Sequence, residues 1–108
     1  MQPKEILQYQ TEKGKCPFRI WFLSLKDIVT RASIRARLDR LSLGNFGDCK
    51  PVGEGVLELR LHLGPGYRIY FGMDRNEIIV LLSGGDKSRQ QSDIDRAKVY
   101  WKDYLRRR

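Results

Sequence analysis

The sequence predicts an α+β fold: a short N-terminal strand and an αα-hairpin, then a twisted antiparallel three-strand meander and a C-terminal helix. Three observations point there. Apolar residues recur at helical spacing in Phe18, Trp21, Phe22 and Leu25, and again in Ile94, Ala97, Trp101 and Tyr104. Between these blocks, Leu57, Leu59, Leu61 and Leu63 alternate with Glu58, Arg60 and His62, the period of a strand with one buried face. The stretch Glu77 to Ser83 is a nearly continuous apolar run, as expected of a central strand covered on both sides. A chain of 108 residues fits one such domain, residues 1–108, with one modest core.

Taken in order, the first strand falls around Lys4 to Tyr9. The first helix spans Phe18 to Leu25, and Pro17 suits its opening position. The second runs from about Asp27 to Leu43, with Asp27 as N-cap and Gly44 as terminator, and it places Ile34, Leu38 and Leu41 on one face. Asn45 to Gly55 carries three glycines and a proline and reads as a loop. The hairpin that follows has its register constrained. Leu57, Leu59, Leu61 and Leu63 share a face with Tyr67, Ile69, Phe71 and Met73 only if the connection is odd-numbered. A three-residue loop Gly64-Pro65-Gly66 then sets Leu63 opposite Tyr67, His62 opposite Arg68, Arg60 opposite Tyr70 and Glu58 opposite Gly72. Asp74-Arg75-Asn76 forms a second turn, with Asn76 able to adopt a left-handed conformation. Ser88, with Gln91 three residues on, has the pattern of a capping box opening the last helix.

Charge narrows the partners. The chain has 21 Lys and Arg against 13 Asp and Glu, a net charge of +8, which favours polyanions and places nucleic acid first. An acidic protein satisfies the same charge. Arg31, Arg35, Arg37 and Arg40 point around most of the second helix and also fit a plain solvated surface. No apolar stretch approaches the length of a membrane span, and the N-terminus lacks the order of a signal peptide, so the expected compartment is the cytoplasm. Cys16 and Cys49 stand apart, with no Cys or His companions at metal-ligand spacing, so neither a metal nor a cofactor is expected.

Three motifs occur in a set order: E-L-R at Glu58 to Arg60, G-P-G-Y-R at Gly64 to Arg68, and L-L-S-G-G-D-K-S-R-Q-Q-S-D-I-D-R-A from Leu81 to Ala97. Together with the order of elements, from about Lys4 to Tyr104, they resemble the RelE/ParE superfamily of type II toxin-antitoxin toxins. The nearest branch in appearance is the HigB-like, phage-related addiction module killer proteins. The resemblance implies a RelE-like fold and a cytoplasmic toxin neutralised by a cognate antitoxin, a helix-turn-helix protein. It also implies a ribosome-dependent endoribonuclease that cuts mRNA and blocks translation. The ParE side of the superfamily inhibits gyrase on the same fold, and an inactive antitoxin-binding remnant is a further alternative.

RNA cleavage by 2′-hydroxyl attack requires help with deprotonation, with negative charge on the phosphate and with the leaving oxygen. By motif position the resemblance assigns Arg60 and Arg68 as phosphate clamps and Lys87 as a third cation. His62 is a proton donor or acceptor candidate, or else a solvated strand residue. Arg60 has an ion pair with Glu58 or Asp86 as its alternative, and Asp86 can cap the last helix instead. Tyr70 is a base-stacking candidate, and Lys50 and Arg89 join it as RNA-contacting candidates. With one histidine, a two-histidine mechanism does not operate. The identity of acid and base and the oligomeric state stay open at this level.

Overall fold

The computed structural model describes residues 3–108. The chain runs β1 (Glu5–Gln8), α1 (Pro17–Ser24), α2 (Ile28–Ser42), β2 (Cys49–Gly53), β3 (Val56–Arg60), β4 (Arg68–Asp74), β5 (Ile78–Gly85), a 3₁₀ turn (Lys87–Arg89) and α3 (Gln90–Arg107). One sheet orders these strands β1-β5-β4-β3-β2. β1 lies parallel to β5 and every other pairing is antiparallel. The α+β plan is therefore the observed one, and its helices cover the sheet from both sides.

Each face owes its helix to the sequence pattern. The odd-numbered residues of the leucine strand do share one face: Leu59, Leu61, Ile69 and Phe71 are buried with Phe18 of α1 and Ile34 and Leu41 of α2. Asp27 caps α2, its carboxylate accepting from the Val29 N–H at 3.2 Å and the Thr30 hydroxyl at 2.8 Å. Gly44 ends the helix at positive φ, with Asn45 N–H returning to the Arg40 carbonyl. The opposite face holds Tyr9, Val56, Tyr70, Val80 and Leu82 under Ile94, Ala97 and Trp101 of α3. Polar ties fix that helix as well: Tyr104 donates to Asp74 at 2.8 Å and Tyr9 to Asp103 at 2.6 Å. β5, interior to the sheet, is covered on both sides as its apolar run implied.

Four expectations are corrected. The segment Asn45 to Gly55 contains β2, an edge strand paired with β3, so the meander has four strands. Pro51 is compatible with an edge position, and the register shift between Pro51 and Gly53 marks an irregular strand that turn-type composition conceals. The β3–β4 hairpin is offset by two residues from the expected register: Arg60 pairs with Arg68, Glu58 with Tyr70 and Val56 with Gly72. Leu61 N–H bonds the Tyr67 carbonyl at 2.9 Å, so the loop is Leu61 to Tyr67 rather than the glycine-proline-glycine triplet alone. An offset of two keeps every side chain on its face, which is why the leucine assignment survives. The last helix opens differently too: Asp86 caps the 3₁₀ turn before it, accepting from the Ser88 N–H at 2.9 Å, the N-cap position of α3 is Arg89 with no side-chain cap bond, and Gln91 instead reaches Asp95. Finally, the polar face of the hairpin is not open, because α3 lies across much of it.

A bulge in β5 has consequences for the site. Phe71 pairs with Leu81 but Tyr70 pairs with Ser83, so Leu82 is the extra residue. Beyond it the faces swap, and Ser83 joins Tyr70 on the α3 side. Gly84 then meets α1 and Gly85 meets α3; a Cβ at Gly84 would overlap the Trp21 indole and one at Gly85 the Asp93 carboxylate.

Candidate functional site

The uncovered end of the α3 face carries the chemistry. At the start of β4, Arg68 sits opposite Arg60 at the end of β3, and the loop from Leu61 to Tyr67 curls beside them. Gly66, at φ +78°, passes close to both the Arg68 guanidinium and the Lys87 side chain. The result is a cleft of about 680 Å³ lined by Arg60, His62, Arg68 and Lys87 together with the loop. Among the described residues no carboxylate lines it.

The arginines are held from behind by Glu58, a carboxylate with no exposed surface. Its Oε1 accepts from Arg60 Nε at 3.0 Å. Its Oε2 accepts from the Tyr70 hydroxyl at 3.1 Å and from Gln90 Nε2 at 3.0 Å, and lies 3.6 Å from Arg68 Nε. Burial pushes the Glu58 carboxyl upward, but hydrogen bonds from Gln90, Arg60 and Tyr70 and the Arg68 charge outweigh it and hold the group below its ordinary range. Glu58 is thus ionised at neutral pH. Burial and then the Glu58 charge raise Tyr70, which stays a neutral donor. Arg68 is itself nearly buried, and Nη1 donates to the Gly66 carbonyl at 2.9 Å. Two arginines against one carboxylate leave this end of the sheet with excess positive charge, aimed at solvent by a packed support.

His62 sits in the loop, largely exposed, with Nε2 paired to Asp48 Oδ2. A second hollow of about 550 Å³ begins at this histidine, sharing Arg60 to Leu63 with the first cleft and adding Arg37, Arg40 and Asp48. Arg37 of α2 shapes it by donating to the carbonyls of Phe46 at 3.2 Å and Arg60 at 3.2 Å. A basic groove therefore runs from α2 past His62 to Lys87.

Among the sequence candidates, Arg60, His62, Arg68 and Lys87 come together. Arg60 also makes the ion pair with Glu58 foreseen as its alternative, and Asp86 caps the 3₁₀ turn that leads into the last helix rather than α3 itself. Tyr70 departs from its expected role: its ring is fully buried under α3 and its hydroxyl is committed to Glu58, so no face is open for a base. Lys50 is exposed on edge strand β2 and Arg89 is exposed on the 3₁₀ turn, and neither lines the cleft. Missed altogether were Gln90 and Asp48, whose roles arise from the offset register and the loop. Cys16 and Cys49 are free thiols, and burial raises that of Cys49. Among the described residues no three His, Cys, Asp or Glu side chains converge as a metal site, and no helix is long and apolar enough to cross a membrane.

Comparison with known proteins shows the family to which the chain belongs. An uncharacterised protein of Haemophilus influenzae is 46% identical over 87 residues, which is 81% of this chain and 88% of that protein. Residues 20–102, which include the whole cleft, match the family described as Phage derived protein Gp49-like (DUF891). The chain belongs to this Gp49-like phage-derived family, a family associated with addiction module toxins.

Proposed function

We propose that this protein is the toxin of a type II toxin-antitoxin system, close to the RelE and HigB group, and acts as a ribosome-dependent mRNA endonuclease. The observation that carries the reading is the convergence of Arg60, Arg68, Lys87 and His62 on one cleft with no carboxylate among the described residues of its lining. Such a cleft suits a phosphodiester. Arg68, held by Glu58 and the Gly66 carbonyl, brings its guanidinium to the wall of the cleft in a fixed orientation, with Nη2 the nitrogen left to donate to a non-bridging oxygen. Arg60 and Lys87 add charge where a pentacoordinate phosphate gains it. His62 is the proton-transfer group of this proposal: with the Nε2 hydrogen directed to Asp48, Nδ1 accepts the 2′-hydroxyl proton as the 2′-oxygen bonds to phosphorus, the P–O5′ bond breaks, the 5′-oxygen takes a proton from solvent, and the imidazolium is stabilised by the carboxylate. The fold is compatible with a RelE-like toxin, and a cognate antitoxin follows from the family association.

The test is controlled expression in bacteria with mapping of mRNA 5′ ends. Growth arrest with new ends inside translated frames supports the proposal, and arrest with intact mRNA removes the nuclease reading. A second reading, a ParE-like gyrase inhibitor or an antitoxin-binding remnant, draws on the burial of Tyr70, which leaves the cleft without its expected stacking side chain. Inhibition of supercoiling by purified gyrase would favour the first of these. A small helix-turn-helix protein in the neighbouring reading frame would identify the proposed antitoxin.

A further inference from the structure

At the C-terminal end of β5, Lys87 leads into the cleft on one side, and a separate pocket of about 300 Å³ opens on the other, between α1 and α3. Its volume lies at the lower end of the range for small-ligand sites. Trp21 of α1 and Tyr100 of α3 provide aromatic walls, and Lys15 and Arg96 contribute cations. Two nearly buried polar side chains also line it, Ser83 at 8% and Asp93 at 9% exposure. Among the described residues the Ser83 hydroxyl finds no hydrogen-bond partner, and its oxygen is closed off from solvent. The Asp93 carboxyl is raised by burial, and Arg96, Asp86 and Arg89 reach it only through their charges, with no hydrogen bond holding it. Both groups are there because of local backbone design: the Leu82 bulge turns Ser83 toward α3, and the bare Gly85 makes room for Asp93.

A nearly buried carboxylate that no hydrogen bond holds, opening on a pocket with aromatic walls, is an acceptor free for a ligand's donors. We propose that this pocket takes one guanine base of the RNA strand whose phosphates occupy the neighbouring cleft, Asp93 accepting its N1–H and N2–H donors. Guanine is the base with two adjacent donors on its Watson-Crick edge, matching the two oxygens of a carboxylate. Uracil would set carbonyls against Asp93, and adenine and cytosine each bring only an amino group beside a ring acceptor. The pocket is placed for a strand shared with the cleft. Trp21 meets Tyr67, a cleft residue, edge-on at 6.0 Å, and Gly85, beside Asp93, pairs with Arg68 in the ladder. An arginine side chain from a protein partner could also satisfy Asp93, but Lys15 and Arg96 oppose a further cation and favour a ligand that carries phosphate.

This inference rests on the RNA reading of the cleft, and the test separates the two. Dissociation constants are measured by fluorescence anisotropy for labelled hexaribonucleotides blocked against cleavage by 2′-O-methyl groups. They carry one guanine, inosine or adenine in a uridine background. The expected result is about tenfold tighter binding of guanine than of inosine, which lacks only the 2-amino donor, within the range of a good bidentate base contact. Asp93→Asn should abolish that preference while retaining binding to the uridine background, with unfolding midpoints confirming that the variant folds. Comparing guanine with inosine on the wild-type protein needs no variant at all. Salt-sensitive binding with no base preference, or a preference that survives Asp93→Asn, overturns the guanine pocket and leaves the RNA reading standing. Binding of N-acetylarginine amide that depends on Asp93, without guanine preference, overturns it in favour of a protein occupant. Absence of binding to every oligonucleotide overturns the guanine pocket as a site on the free protein, and the ribosome-dependent reading then stands or falls on the mapped mRNA ends alone.

Discussion

Replacing Glu58 with glutamine tests whether the cleft's arginines depend on one buried carboxylate. Glu58 has no exposed surface, accepts three side-chain hydrogen bonds at 3.0 to 3.1 Å and lies 3.6 Å from Arg68 Nε. Glutamine fits the space but brings an amide donor where donors already converge, so at least one of Arg60, Tyr70 and Gln90 loses its acceptor. Arg68 loses its counter-charge while still nearly buried. Breaking a buried charge pair from one side costs about 3–5 kcal/mol, a large share of the roughly 5–15 kcal/mol that holds a domain together. At about 4 °C or more per kcal/mol for a domain this small, the melting temperature should fall by at least about 12 °C. Urea unfolding followed by tryptophan fluorescence supplies the free energy directly. The pH dependence carries a sign: Glu58 titrates below its ordinary range when folded. Its contribution is therefore present above the unfolded pKa, near 4.3, and is lost as pH falls through the folded value. The variant should be less stable than wild type at neutral pH, with the gap closing in acid. A loss below about 1 kcal/mol, of the size expected for one ordinary neutral hydrogen bond, would refute the claim that Glu58 organises the site.

Three further predictions concern separate parts of the molecule. Lys87→Ala alters an exposed side chain, so stability should stay within about 0.5 kcal/mol of wild type; the salt slope of single-stranded RNA binding should drop by about 0.7, the share of one phosphate contact. Gly84→Ala drives a methyl into the Trp21 indole and should cost about 1–3 kcal/mol in urea unfolding, whereas a neutral result would mean that α1 yields. The Tyr9 phenol is pushed up to about 12 by burial and by its bond to Asp103. Its stabilisation is therefore complete below the ordinary tyrosine value, near 10, and fades as pH rises through about 12. Tyr9→Phe should remove that component from the alkaline limb of the stability curve, measured by unfolding at stepped pH.

What was legible in the sequence was parity. Leu57, Leu59, Leu61 and Leu63 alternate so strictly that their face survives a two-residue error in register, and Arg60 and Arg68 remain on the side opposite the core formed with α1 and α2. The position of the Gly64-Pro65-Gly66 turn within its loop is not a parity property, and there the sequence misled. β2 was hidden by Pro51 and Gly53, residues that an edge strand tolerates. Tyr70 illustrates the deeper limit. Alternation tells which face a side chain occupies but not how far along that face a helix lies, and α3 covers Tyr70 and Glu58 while stopping short of Arg60. The Leu82 bulge, which turns Ser83 toward α3, left no trace in a continuous apolar run.

The most direct test of the central claim is a map of mRNA 5′ ends in bacteria expressing, in parallel, the wild-type chain, Lys87→Ala and Arg68→Lys, with folding of each confirmed by unfolding of the purified protein. Alanine at Arg68 is less suitable, because it would strip a nearly buried partner from Glu58. The account predicts cuts within translated frames for wild type and their loss or strong reduction in both folded variants. Arrest with uncut mRNA, or cleavage undiminished in both variants, would contradict it.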